Sequence, residues 1–145
     1  MLRRVLSGRP GGRPAVRTAP TRDRARTIVY APRLDGDADP GEVVWAWVPY
    51  EENDGRGKDR PLLVVGRSHG HLLGLMLSSQ PDHRGEQNWF PIGSGPWDGE
   101  SRPSFLRLDR VLEVPDHALR REGAILDHAR FDGVAHELRT HYGWS

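Results

Sequence analysis

The sequence predicts a mainly β domain with one C-terminal α-helix, folded as a small, strongly curved barrel on which the helix packs. Three observations predict it. Five or six short β-branched or apolar runs follow one another between turn-rich segments. Helical periodicity is confined to the end of the chain, where Phe131, Val134, Ala135, Leu138 and Tyr142 recur at three- and four-residue intervals as one apolar stripe. A length of 145 residues accommodates one domain with an adequate core and little else.

Residues 1–26 carry eight arginines and one acid, Asp23, and are rich in Pro, Gly and Thr. So few apolar groups do not offset the entropy of ordering, so 1–26 is predicted as a disordered basic tail and 27–145 as the folded domain. Arg-rich, acid-poor Met1–Ser7 superficially suits an organelle transit peptide, but Gly8, Pro10, Gly11, Gly12 and Pro14 would break its helix. Ile28-Val29-Tyr30 reads as a short lead-in strand, followed by an acidic turn-rich stretch from Asp35 to Gly41. Glu42 to Val48 is β-branched and aromatic, a strand; Glu51 to Asp59 is a charged, glycine-containing loop. Arg60 to Gly66 forms the next strand, with Pro61 tolerated at its start. A turn at Arg67–Gly70 leads to a third, His71 to Ser78.

Pro81 to Glu86 is loop, Asn88 to Ile92 a short strand, and Gly93 to Pro103, with three glycines and two prolines, has no regular element. Ser104 to Val114 alternates and reads as one strand, and Arg120 to Leu126 contains another. Asp127 caps the helix, predicted from His128 to about Tyr142. No internal repeat is visible.

Charge is unevenly distributed. Residues 27–145 hold 13 basic and 19 acidic side chains, so a near-neutral total hides a basic tail on an acidic body. That opposes a simple nucleic-acid-binding account, which normally leaves a basic footprint on the domain itself. The absence of cysteine excludes disulfides and thiolate metal sites. No apolar run approaches the length that spans a bilayer. Twenty arginines against one lysine reflect base composition more than function.

Two neighbouring segments carry the chemistry. Lys58-Asp59-Arg60-Pro61 opens one strand with a guanidinium, and Ser78-Ser79-Gln80 closes the next with two hydroxyls and an amide. If the strands pair, a rigid fork of donors stands beside hydroxyls, an arrangement suited to a phosphodiester. Each signal has a bland counterpart. Arg60 at a strand start is equally a solvated residue or the partner of Asp59, and Ser78 and Ser79 equally a turn. Asp109 has Arg107 and Arg110 as ready ion-pair partners. His69, His71 and His83 would suit a metal hydrolase, but lack a carboxylate or cysteine at ligand spacing, and such histidines are usually surface residues. Trp45 and Trp47 suit the core or an interface, while Trp89 and Trp97, in loop-like surroundings, suit either the core or stacking on RNA bases.

In order and spacing these segments resemble the MazF/PemK (Kid) family of toxin endoribonucleases over about residues 39–145. Gly41-Glu42-Val43-Val44-Trp45 resembles its opening strand, Arg60-Pro61-Leu62-Leu63-Val64-Val65 its Arg-Pro-aliphatic strand, and Ser78-Ser79-Gln80 its hydroxyl pair. Arg107-Leu108-Asp109 resembles a later Arg-x-Asp triplet, and Arg121-Glu122-Gly123-Ala124-Ile125 the strand before the final helix. The resemblance implies an SH3-like or CcdB-like barrel acting as a homodimeric, cytoplasmic toxin without cofactor or metal. It implies cleavage of single-stranded RNA through attack of the RNA's own 2′-hydroxyl, leaving a 2′,3′-cyclic phosphate, and inhibition by a cognate antitoxin. Carried over by position, Arg60, Ser78 and Asp109 are the catalytic candidates. Arg107, Ser79, Gln80, Asn53 and Lys58 are the substrate-binding ones. Glu51, Glu52, Asn53 and Asp54 stand where many members have a Glu-Gln or His-containing pattern, serine replaces the commoner threonine, and the 82–103 segment is longer than usual. The alternative is a non-catalytic binding module of the same fold, acting through protein contacts as topoisomerase poisons do.

Overall fold

The structure, a computed structural model, describes residues 16–33, 37–50 and 54–145. Among these, eight strands form one antiparallel sheet: β1 (Arg17–Pro20), β2 (Glu42–Pro49), β3 (Gly57–Ser68), β4 (His71–Ser78), β5 (Trp89–Gly93), β6 (Ser104–Arg107), β7 (Arg110–Pro115) and β8 (Leu119–Ile125). A single helix, α1 (His128–His141), follows, with the Asp127 side chain accepting from Arg130 N as its cap. The hydrogen-bonded order is β1-β7-β4-β3-β2-β8, with β6 also paired to β4 and β5 to β6.

β2, β3 and β4 are apolar on both faces because both faces are covered. Val43, Leu63, Val65, Leu73, Leu75 and Leu77 join Phe131, Val134, Ala135 and Leu138 of α1 in one core. The alternate positions Val44, Ala46, Val48, Leu62, Val64, Leu72 and Met76 build a second core with Leu112 and Val114. At roughly 1.5–3 kcal/mol for each fully buried large aliphatic side chain, these two layers are the main stabilising contribution.

The mainly β class with a terminal helix is as expected, and β4 has the expected bounds. Three expectations are corrected. The segment read as one strand from Ser104 to Val114 is two, β6 and β7, broken at Leu108 and Asp109. β4 pairs with both: His71 to Gly74 face Pro115 to Leu112, and Leu77 and Ser78 face Leu106 and Phe105. Its outer edge is thus shared between two strands, both antiparallel to it. Ile28-Val29-Tyr30 forms no strand; Ile28 is buried and its N–H donates to Ser145 O.

The third correction concerns the basic tail. Residues 1–15 lie outside the described residues, but 16–26 are ordered against the body. β1 pairs with β7 from Arg17↔Glu113 to Pro20↔Arg110, and Pro20 is tolerated because β1 lies at the end of the strand order. Thr21 is fully buried. Its hydroxyl donates to Leu108 O (2.5 Å) and its amide to Asp109 O (3.1 Å), while its own carbonyl accepts from Trp144 Nε1 (3.0 Å). Arg26 Nη1 reaches Arg67 O (2.7 Å), and Arg24 pairs with Glu113 (2.9 Å). The partners are distant in sequence and invisible to composition, which is why this segment reads as disordered.

Thr21→Val keeps the shape and leaves the buried Leu108 carbonyl without its donor. The expected loss is about 1–3 kcal/mol, read as a lower urea midpoint at unchanged slope. An unmoved midpoint would show that the N-terminal segment does not hold the strand break.

Candidate functional site

Strand register brings the two predicted segments together. β2 and β3 pair Ala46 with Arg60 and Val48 with Lys58. β3 and β4 pair as far as Leu62 with Met76, and two residues beyond that pair stand Arg60 on one strand and Ser78 on the other. On its other side Ser78 is paired with Phe105 of β6. After Ser78 the chain leaves the sheet through Ser79 and Gln80 into a short 3-10 turn, Pro81–His83.

At this end of the sheet lies a cleft of about 260 Å³ whose lining includes Trp45, Lys58, Asp59, Arg60, Ser78, Ser79, Gln80, Asp98 and Arg102. Arg60 is half-buried, and its guanidinium makes no ion pair or hydrogen bond to another described residue. Its neighbour Asp59 pairs instead with Arg120 Nη2 (2.8 Å), which lies over the Trp45 ring at 5.8 Å. Lys58 is exposed and likewise uncommitted among the described residues. Ser78 Oγ accepts from the Gln80 amide (3.3 Å), which fills an acceptor site and leaves the hydroxyl proton for donation. The cleft therefore offers two uncommitted cations and a hydroxyl donor, a set that fits an anionic oxygen group.

The 94–103 loop closes one wall. Trp97 is 4% exposed and its Nε1 donates to Ser104 Oγ (2.9 Å), pinning the loop to the start of β6. Gly95 allows this, since a Cβ there would run into the Trp97 ring. The next residue, Asp98, has a side chain only 7% exposed and accepts from Glu100 N (2.9 Å) and Arg102 Nε (3.0 Å). Burial opposes ionisation of Asp98 and is the largest single influence. The donors from Glu100 and Arg102, helped by the Ser79 hydroxyl, outweigh it and hold the carboxyl below its ordinary range.

Of the eight predicted residues, Arg60, Ser78, Ser79, Gln80 and Lys58 line this cleft. Asn53 lies outside the described residues. Arg107 and Asp109 are not in its lining. They face each other in a two-point ion pair, Nε to Oδ1 at 2.8 Å and Nη2 to Oδ2 at 3.3 Å. Asp109 instead lines a second, larger cleft of about 560 Å³ with Arg22, Asn88, Trp89, Glu137 and Tyr142. Burial, with Asp109 close by, raises the Tyr142 phenol pKa, and Arg22 opposes the rise from 5.9 Å over the ring. The three histidines do not assemble: His71 Nδ1 turns to His69 O, and His83 stacks on Trp89 at 3.6 Å and bonds Glu86. No group of three or more potential metal ligands occurs among the described residues.

Sequence reasoning missed Asp98 and Arg102. Both sit in a Gly- and Pro-rich stretch with no periodic signal, about twenty residues past the serines they face. The burial of Trp97 carries them into the wall, and burial of that ring was one of the two roles open to it.

The described residues thus form an antiparallel sheet with one terminal helix and, at one end, a cleft that presents cations beside a hydroxyl. Residues 39–142 match the family of PemK-like, MazF-like toxins of type II toxin–antitoxin systems, and the chain belongs to that family. No curated protein matches the chain. Among the described residues no helix is long and apolar enough to cross a membrane.

Gly95→Ala is expected to displace the Trp97 ring, lowering stability by about 1–3 kcal/mol and shifting tryptophan emission to the red. Unchanged stability and emission would show the wall is not held by that contact. The depressed pKa of Asp98 has a second consequence. Its contribution to stability is present above the ordinary aspartate pKa of about 4 and is lost as pH falls through and below it. Asp98→Asn should therefore flatten the acid limb of the stability–pH curve, measured by urea unfolding at a series of pH values.

Proposed function

We propose that this toxin-family protein is a metal-independent, sequence-selective endoribonuclease that cuts single-stranded RNA. The observation that carries the reading is that Arg60, uncommitted among the described residues, and Ser78, whose hydroxyl proton is free, line one cleft together with Lys58. In the proposed reaction the RNA 2′-hydroxyl gives its proton to solvent as its oxygen attacks the adjacent phosphorus, the bond to the 5′-oxygen breaks, and that oxygen takes a proton from solvent, leaving a 2′,3′-cyclic phosphate and a 5′-hydroxyl. The nucleophile belongs to the substrate, so no metal-activated water is required.

The protein's task is to stabilise charge that builds on the non-bridging oxygens. Arg60 supplies two parallel donors and remains charged throughout, since its pKa lies far above working pH. Ser78 donates its hydroxyl to one developing oxyanion, and Lys58 and Gln80 hold the flanking strand. Asp109, the base expected from resemblance, is engaged by Arg107 and is not in the cleft lining. Asp98, inside the cleft, is held ionised by its donors and is a weak proton acceptor. The reading accordingly rests on electrostatic stabilisation and positioning more than on a dedicated carboxylate base. In the same reading the protein works as a homodimer in the cytoplasm, and an acidic segment of a cognate antitoxin inhibits it by covering Arg60 and Ser78.

The separation of Arg107 and Asp109 from Arg60 and Ser78 favours a second reading, a non-catalytic module of the same fold acting through protein contacts. One experiment distinguishes the two. Purified protein is incubated with a long single-stranded RNA in EDTA, beside Arg60→Ala and Ser78→Ala, and the ends are mapped. The ribonuclease reading expects discrete cuts bearing 2′,3′-cyclic phosphate, with rate losses of about a hundredfold or more for Arg60→Ala and about tenfold or more for Ser78→Ala. Intact RNA from folded wild-type protein would establish the module instead.

A further inference from the structure

The wall loop carries a cation that the family-type motif residues do not include. Arg102 lines the same cleft as Arg60 and Lys58, yet its side chain is 55% exposed. An ion pair so exposed on one side adds little stability in its own right. Its partner is different in kind: the Asp98 carboxylate is almost fully buried, fixed at one oxygen by Glu100 N, and gives its other oxygen to Arg102 Nε (3.0 Å). Glu100 Oε1 stands further off, at 3.6 Å from the same Nε. Asp98 thus grips the guanidinium by its inner nitrogen. No hydrogen bond occupies the two outer Nη groups among the described residues. That leaves a fork of donors over a cleft whose other cations are Lys58 and Arg60.

We infer that Arg102 is an additional phosphate-binding residue for the RNA strand and that Asp98 is its positioning residue, setting the angle at which the fork meets a flanking phosphate. This rests on the ribonuclease reading and extends it to the neighbouring nucleotide. A long side chain held by one buried carboxylate loses less freedom on binding than a freely rotating arginine, so its contact is preorganised. Because the flanking phosphate undergoes no chemistry, the contact strengthens binding without altering the reacting centre. Asp98 keeps the Glu100 amide when Arg102 is removed, so Arg102 variants should fold.

The test uses full-length protein, a cleavable RNA for kinetics, and an inert 2′-O-methyl RNA oligonucleotide for binding by fluorescence anisotropy across a salt series. For Arg102→Gln the expected result is a KM raised about tenfold at nearly unchanged kcat. The slope of log affinity against log salt should fall by about 0.7, one phosphate contact on a single strand. Arg102→Lys should recover the salt slope but not the full affinity, since an ammonium lacks the fork. Asp98→Asn, checked for folding by urea titration, should raise KM less than Arg102→Gln does. Wild-type protein that cuts and binds RNA, with Arg102→Gln indistinguishable from it in KM and salt slope, would overturn this inference alone. Wild-type protein that neither cuts nor binds would overturn the ribonuclease reading and this inference with it. A fall in kcat at unchanged KM for Arg102→Gln would also overturn it, because the residue would then act at the reacting centre.

Discussion

β4 shares its outer edge between two strands, and the position of the candidate site follows from that division. A single strand across the edge would have carried Ser104 to Val114 along β4 in one register. Instead β7 takes the first half and β6 the second, and the chain between them turns away at Leu108 and Asp109. Backbone groups freed at such a break must find partners, because a buried carbonyl left alone costs as much as a lost hydrogen bond. Thr21 supplies donors to the carbonyls of Leu108 and Asp109, and Asn88 O accepts from Leu108 N. With the break satisfied, the β5–β6 pair swings to the far end of β4, and its connecting loop falls beside Ser78. The cleft exists because the sheet divides there.

The charge pattern of the whole chain and that of the cleft point in opposite directions, and the second decides local chemistry. The body from residue 27 onward is acidic, yet among the described residues the carboxylates that line the cleft are already spent: Asp59 on Arg120, and Asp98 on Arg102 and the Glu100 amide. Arg60 and Lys58 remain without a counter-ion among the described residues. At contact distances an unpaired cation in a partly buried cleft outweighs scattered surface acids, which solvent and salt screen beyond about 8–10 Å. A net negative domain therefore does not contradict an anion-binding site, and the formal sum over 119 residues was the wrong scale at which to ask the question.

What was legible in the sequence was local. The EVVWAWV run, the RPLLVVG run and the stripe from Phe131 to Tyr142 each state their own conformation, and their neighbours do not contest it. Arg60 and Ser78 were legible for the same reason: two strands joined by a tight turn must pair, and pairing brings opposite ends together. The unreadable features are all non-local. The break at Leu108 interrupts an apolar pattern that continues on both sides, so only the partners reveal it. Arg17 to Pro20 contains one buried side chain, Ala19, and becomes a strand through the β7 edge and through Trp144 at the opposite end of the chain. Asp98 enters the cleft through the burial of its neighbour, Trp97. The Arg107–Asp109 pair was legible as an ion pair; the placement of Asp109 in a different cleft was not, because the break sets it.

That displacement bears on how a site of this kind could work. A carboxylate useful as a base must be poised to accept a proton, which requires that its charged form not be over-stabilised. Asp98 and Asp109 are each tied to an arginine, and the hydrogen bonds to Asp98 hold its pKa down. Asp98 is thereby an orienting element: it locks a guanidinium in place and loses that role on protonation. The remaining candidate groups in the cleft are Arg60, Ser78 and Lys58, all donors. A cleft of donors can lower the energy of a pentacoordinate phosphorus by stabilising its oxygens, and it binds the phosphodiester before reaction for the same reason. The gain in rate then comes only from the extra charge that appears in the transition state. An arginine fork answers that increment better than a point charge does, since it meets two oxygens at once. The geometry at Arg60, more than the number of charges around it, is what a catalytic role would depend on.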